Sequence, residues 1–139
     1  MSVTPIYPAI RLVRFAIVPA LVARSSGAGV YWLQAPEGAA LPYVIVQSQD
    51  AGGRAEPHLS ALGWSGLITV KALANANGSG NAAGAAEALM DAVAPGMDNL
   101  TAPAGYDLSV SYERALVVPP LEGVHQAGHI WRVTLERES

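Results

Sequence analysis

The sequence contains no cysteine, and this absence removes several kinds of site at once. Without thiols the chain cannot hold a disulfide framework, a cysteine-ligated zinc or iron–sulfur centre, or a cysteine nucleophile. Charged residues are also scarce, at 14% of 139 residues, which is about half of the usual share. Hydrophobic residues make up 51%. This composition excludes a disordered chain and predicts some apolar surface that another chain covers.

Positive charge is in short supply as well. Eight basic residues face eleven acidic ones, the net charge is -3, and Lys71 is the single lysine. Free-standing nucleic-acid-binding proteins are usually basic, so the charge balance argues against that class. Four arginines in the N-terminal half could form a basic patch, but no aromatic residues alternate with them to stack on bases. We interpret them as solvated or partner-facing: Arg11, Arg14, Arg24 and Arg54.

Long hydrophobic runs are absent too. The most apolar stretch, Phe15–Ala23, contains Pro19 and is followed directly by Arg24. It is far shorter than the roughly 20 residues that a membrane-spanning helix needs. Two arginines precede it, as in a signal peptide, but Pro5 and Pro8 before the stretch and Pro19 within it do not fit one. We therefore expect neither membrane insertion nor export.

The chain length suits one domain, residues 1–139, with a core large enough to fold unaided. Residues 4–23 are predicted to form a helix that starts at Thr4 or Tyr7, with a proline at its first position. Pro19 is expected to kink or end it. Its apolar stripe recurs at helical spacing: Ile6, Ile10, Val13, Ile17 and Leu21.

The middle of the chain is predicted to be strand-rich. Val30–Leu33 and Tyr43–Ser48 favour a hairpin with a long, irregular connection. Gln49–Gly63 has no periodicity and is interpreted as an exposed loop, long enough to have a role. Trp64–Leu73 follows as a strand, with Ile68 and Val70 on one face and Thr69 and Lys71 on the other.

The last part predicts a helix and two strands. Residues 82–94 show apolar side chains at helical spacing, and Pro95-Gly96 ends the pattern. Tyr106–Arg114 and Gly128–Arg137 alternate apolar and polar residues, which indicates an antiparallel hairpin joined by a loop, 117–127. The expected fold is α+β, in the order α-β-β-β-α-β-β, with a mostly antiparallel sheet of four to five strands packed on two helices.

Few residues form a pattern that indicates chemistry. His125 and His129 are four apart, a metal-binding spacing on a helix, but His129 opens a predicted strand and is better explained as a core or loop residue. The glycine-rich run Gly78–Gly84 resembles a loosened dinucleotide fingerprint without the surrounding βαβ unit. Ser65 lies in a sequence that lacks the last glycine of a nucleophile elbow.

The acidic residues are scattered along the chain. Glu87 and Asp91 lie four apart on the second predicted helix and could hold a divalent ion, although a solvated face is the commoner explanation. No nucleophile, base and orienting group come together in the sequence, so we expect no enzyme and no cofactor.

The order of the elements resembles the tail terminator, or tail-completion, proteins of long-tailed phages over nearly the full length. The similarity lies in the element order and the Pro-Tyr strand, and no sharp motif accompanies it. These segments carry it: Tyr7-Pro8, LPYVIV at Leu41–Val46, SGLITVKAL at Ser65–Leu73, AAEALMDAV at Ala85–Val93, SYERALVVPPLEG at Ser111–Gly123 and GHIWRVTLE at Gly128–Glu136.

The resemblance implies structural work at the head–tail joint of a virion, after assembly in the host cytoplasm. Such proteins form a ring, usually a hexamer, on the finished tail tube. They stop its growth and present a surface to the head's connector or completion protein. The partners implied are therefore copies of itself, the tail tube protein and the connector, with DNA only passing through the lumen.

Three other interpretations stay open. The chain could be another head–tail joining or neck component of similar fold. It could instead be a small α+β enzyme or ligand-binding module that uses Gly78–Gly84 or a pocket near His129, which would need convergent polar groups. A packaging factor that contacts DNA is the third, and the net charge argues against it.

The interface residues are chosen on physical grounds, because the family offers no residue that maps here. The long loops Gln49–Gly63 and Pro119–Ala127 could reach the tube or the connector. Substitutions at Arg54 and Glu56 are expected to leave folding intact and to weaken assembly. The full set of interface candidates is Arg11, Arg14, Arg54, Glu56, His58, Glu122 and His125.

Overall fold

The fold comes from a computed structural model, which describes residues 6–48, 63–75, 82–116, 118–120 and 122–137. It is α+β, and the element order matches the order predicted from the sequence. The elements are α1 (Ile6–Val22), β1 (Gly29–Trp32), β2 (Tyr43–Ser48), β3 (Gly63–Asn75), α2 (Ala82–Val93), a 3₁₀ helix (Ala94–Asn99), β4 (Tyr106–Leu116) and β5 (Val124–Arg137).

The five strands form one sheet in the order β1-β2-β3-β5-β4. Strands β2, β3, β5 and β4 pair antiparallel with their neighbours, as predicted for the C-terminal hairpin. Both helices pack on the same face: α1 lies against β1 and β3, while α2 lies against β3 and β5. The two helices therefore cover different parts of the sheet.

The predicted hairpin of the first two strands is wrong, because β1 and β2 pair in parallel. The connection between them carries the chain back, so that β2 begins beside the first residue of β1. Leu33, just after β1, has a φ of 76°, and its N–H donates to the carbonyl of Val46 at 2.7 Å. Parallel pairs usually need a crossover of about a dozen residues, often a helix. A shorter irregular segment performs that crossover here.

The core lies between the helices and one sheet face, and its residues are largely those of the predicted stripes. On α1 the stripe residues Val13, Ile17 and Leu21 are buried. On β5 the alternation places Val133 and Leu135 in the core with no exposed surface. The remaining fully buried members are Val44, Val46, Ile68, Val70, Ala72, Met90, Val93 and Met97.

Helix α1 continues past Pro19 to Val22, so this proline does not end the helix, which was one of its two expected effects. A proline removes one hydrogen bond to the carbonyl four residues earlier, here that of Phe15. Both residues lie on the exposed side of the helix, where water can reach that carbonyl. Within the described ranges, no helix is both apolar enough and long enough to span a membrane.

Several boundaries differ from the predicted ones. Helix α2 ends at Val93, and the chain continues as the 3₁₀ helix through Pro95 and Gly96. Strand β5 begins at Val124 instead of Gly128, so the loop before it is shorter than expected. A β-bulge between Tyr112 and Arg114 shifts the register of β4 against β5.

Candidate interaction surface

Helix α1 has a second stripe that faces away from the core. Its members recur at intervals of four, three and four residues, so they share one side of the helix: Arg11, Phe15, Val18 and Val22. Phe15 is 60% exposed and Val22 is 51% exposed, although both are large apolar residues. Arg14 lies beside Phe15 and is also exposed. This face, called the α1 face below, combines arginine with uncovered apolar side chains.

The charges of the two helical segments have opposite sign. Residues 6–24 contain three arginines and no acidic residue, whereas residues 82–99 contain three acidic residues and no Lys or Arg. All six side chains are exposed: Arg11, Arg14, Arg24, Glu87, Asp91 and Asp98. Within the described part of the chain, none of these six residues forms an ion pair. Arg132 and Glu113, by contrast, do form one there. The charged side chains of each segment can therefore form ion pairs with a second molecule.

An open groove of about 390 Å³ runs beside α2 and is called the α2 groove below. Glu87 and Asp91 stand on its helical side. Gln126 also lines it, and the buried Oε1 of this residue lacks a hydrogen-bond partner among the described residues. Its other lining residues are mostly apolar: Met90, Ala115, Leu116, Val118, Ala127, Gly128 and His129. A groove that combines acceptor groups with apolar side chains fits a cationic, partly apolar segment.

Three aromatic rings meet at the border of this groove. Tyr112 on β4 and His129 on β5 contact each other edge to face, with centroids 5.3 Å apart. Trp131 contacts both rings at 5.8 and 5.7 Å. Trp131 is buried, but Tyr112 is 54% exposed at the edge strand. The cluster therefore presents one rigid aromatic side chain to the surroundings.

A second open groove, of about 480 Å³, lies between α1 and the segment after the 3₁₀ helix. Phe15 borders it together with Leu12 and Pro19 from the same helix. The opposite wall is short and mostly uncharged: Asn99, Thr101, Ala102 and Pro103. This groove widens the apolar area around the α1 face.

The sheet face opposite the helices is more polar. Ser65 and Thr134 share a hydrogen bond of 3.1 Å between their hydroxyl groups. The Nε–H of Arg132 donates to Glu113 Oε2 at 3.4 Å. These side chains form hydrogen bonds to one another across neighbouring strands.

The predicted interface residues fall into three groups. Arg11 and Arg14 are exposed on α1, and Glu122 is exposed in the turn before β5. His125 is half-buried within β5, opposite Ala74, and not in a loop as predicted. The remaining three candidates lie outside the described residues: Arg54, Glu56 and His58. The predicted loop Gln49–Gly63 lies almost entirely outside them, as does most of Gly78–Gly84.

The histidine pair does not form a metal site. His125 and His129 both lie on β5, where four residues span about 13 Å, too far for two ligands of one ion. No group of three His, Asp or Glu side chains in the described ranges could hold a metal ion. Glu87 and Asp91 are exposed, in agreement with the solvated interpretation.

The sequence interpretation missed three uncovered apolar side chains, which are Phe15, Val22 and Leu33. A signal for the first two was present, because Phe15, Val18 and Val22 repeat at helical spacing off the core stripe. Comparisons with models of known protein families and with curated proteins give no match. The surfaces themselves therefore provide the basis for a functional argument.

Proposed function

We propose that this chain is a structural subunit that associates with copies of itself into a ring on the end of a phage tail tube, as a tail terminator. In this role it stops tube elongation and presents a surface for the joint with the head. The proposal begins from the resemblance to tail terminator proteins. The α+β fold and the element order are consistent with that resemblance.

The observation that carries the proposal is the placement of uncovered apolar side chains at both ends of the sheet. Phe15 and Val22 lie on α1, which packs toward β1, and Tyr112 lies on β4 at the opposite edge. A ring needs two different surfaces on each subunit, because each copy contacts its two neighbours through different patches. Aromatic residues are favoured at such contacts.

The grooves support an assembly role over a small-molecule site. Ligand sites usually enclose most of the ligand and place a few polar groups around it. The two grooves described above are both open. Charged side chains line only the α2 groove, whereas the groove between α1 and the segment after the 3₁₀ helix is lined by small or apolar residues apart from Asn99 and Thr101. Open grooves of this kind suit contact with another protein.

The test is polymerisation of the tail tube protein encoded in the same genome. Adding this chain at the start of polymerisation should give shorter tubes, with extra density at one end in negative-stain images. Phe15→Asp should lose the effect, because it places a charge in the uncovered apolar patch. Glu37→Ala, in an exposed loop, is the matched control and should keep it.

Two outcomes would overturn the proposal. Unchanged tube length with no density at the tube ends would exclude a terminator role. Density only on isolated head connectors would assign the chain to another joining component of the neck.

A further inference from the structure

We propose that the α1 face of one copy docks into the α2 groove of the next copy, with Phe15 entering the groove and Arg11 and Arg14 pairing with Glu87 and Asp91. This inference rests on the proposed function in one respect, namely that copies of the chain associate. It adds which two surfaces meet and in what register. The occupant of the groove is thus a second copy of this chain.

The α1 face presents one exposed aromatic side chain with two arginines close to it. Arg11 and Phe15 are one helical turn apart, and Arg14 is the direct neighbour of Phe15. The three residues therefore leave neighbouring positions on one side of the helix, within about 6 Å along its axis. Guanidinium groups reach carboxylates in a planar, two-pronged geometry and tolerate an interface better than ammonium groups do.

The α2 groove has the matching chemistry. Glu87 and Asp91 are also one turn apart, about 6 Å along the axis, and both are exposed at the border of the groove. Leu116 and Val118, both half-buried, provide apolar surface for an aromatic ring beside the acidic border. The buried, unpartnered Oε1 of Gln126 adds an acceptor that an arginine can satisfy.

Within one copy, the arginines of the α1 face do not pair with the acidic residues of the α2 groove in the described structure. Of the strands that the two helices contact, they share only β3. None of the four charged residues forms an ion pair within the described chain. Because the same chain carries both surfaces, each copy can contact two others through unlike patches. Repetition of such a contact closes into a ring when the rotation permits. Charge pairing then sets the register, and apolar burial supplies the affinity.

The first experiment uses the absence of cysteine from the chain. Arg14→Cys and Asp91→Cys proteins are mixed and treated with a short bis-maleimide. A heterodimer in high yield is the expected result. Glu37→Cys mixed with Asp91→Cys is the control, since Glu37 is equally exposed but lies outside both surfaces. Equal yields from the two mixtures, or no heterodimer at any protein concentration, would overturn the inference.

The second experiment reverses the charges. R11E/R14E and E87R/D91R should each lower the particle mass measured by light scattering. An equimolar mixture of the two should restore it, because each reversed α1 face then meets a reversed α2 groove. R114E/R132E and D107R/E136R change the net charge equally, on exposed positions of β4 and β5, and should keep the mass. Loss of mass without recovery in the mixture would contradict the register.

The outcomes separate this inference from the proposed function. Rings that persist in both reversed proteins would overturn the α1–α2 contact and leave the terminator proposal standing. A mixture that recovers only a two-copy particle would support the contact and contradict a ring.

Discussion

Tyr112 and His129 are joined across β4 and β5 by a hydrogen bond of 3.0 Å between Tyr112 Oη and His129 Nδ1. The same two rings touch edge to face, and Trp131 packs against both. An exposed tyrosine at a sheet edge would normally sample several rotamers. Here three contacts hold it in one place, next to the α2 groove.

Shortening Tyr112 tests how much this cluster stabilises the hairpin. Tyr112→Phe removes only the hydrogen bond and should lower the free energy of unfolding by about 0.5–1 kcal/mol. Tyr112→Ala also removes the ring contacts and should cost about 1–3 kcal/mol. Urea unfolding of the two proteins measures the difference. Equal losses would show that the ring contacts contribute nothing.

Ile17 and Phe15 test the two faces of α1. Ile17→Ala deletes a side chain with no exposed surface and should lower the free energy of unfolding by about 2–5 kcal/mol. Phe15→Ala, two residues away and 60% exposed, should change it by no more than about 0.5 kcal/mol. Thermal unfolding monitored by circular dichroism measures both. A larger loss for Phe15 would place the aromatic ring inside the domain.

A buried charge tests the facing of β5. Val133→Asp places a carboxylate in the core with no partner and should leave the protein unfolded or insoluble. Val110, its half-buried partner on β4, should tolerate aspartate better, although with a clear loss of stability. Ser111→Asp adds the same charge to the exposed face beside Arg132 and serves as the control. Folded, soluble Val133→Asp protein would contradict the strand facing.

A substitution at Gly128 tests how closely β3, β4 and β5 pack at this position. A Cβ at this position would lie 2.9 Å from both Lys71 Cβ and the Val70 carbonyl oxygen, so the backbone of β3 would have to move. Gly128→Ala should cost about 1–3 kcal/mol of stability. Gly29→Ala is the comparison, because the three atoms nearest to a Cβ there all belong to the tip of the Tyr31 ring, which can turn aside. The same melting temperature for both proteins would contradict the crowding at β5.

Hydropathy patterning was enough to predict most of the architecture. The stripe of Ile17 and Leu21 gave the buried face of α1, and the alternation of Trp131, Val133 and Leu135 gave the buried face of β5. These patterns indicate which side chains are buried, because the spacing of apolar residues along one sequence follows the buried face of each element. The class of fold followed, since two amphipathic helices and alternating strands leave few ways to share one core.

Strand pairing and the exposure of side chains were harder to predict from the sequence. The direction of β1 relative to β2 depends on where the irregular connection leads the chain, and alternation is the same for parallel and antiparallel partners. His125 was assigned to a loop because its neighbours are polar or small, yet hydrogen bonding to β3 extends β5 to Val124. The exposure of Tyr112 depends on α2 lying over β3 and β5 and not over β4.

The most direct test of the central claim is the particle mass in solution at high protein concentration, with negative-stain images of the same sample. Light scattering should give a discrete multiple of the 14.4 kDa chain, and the images should show closed rings with a central hole. A closed two-copy particle would contradict it. So would a monomer that stays absent from the ends of tail tubes added to the same sample.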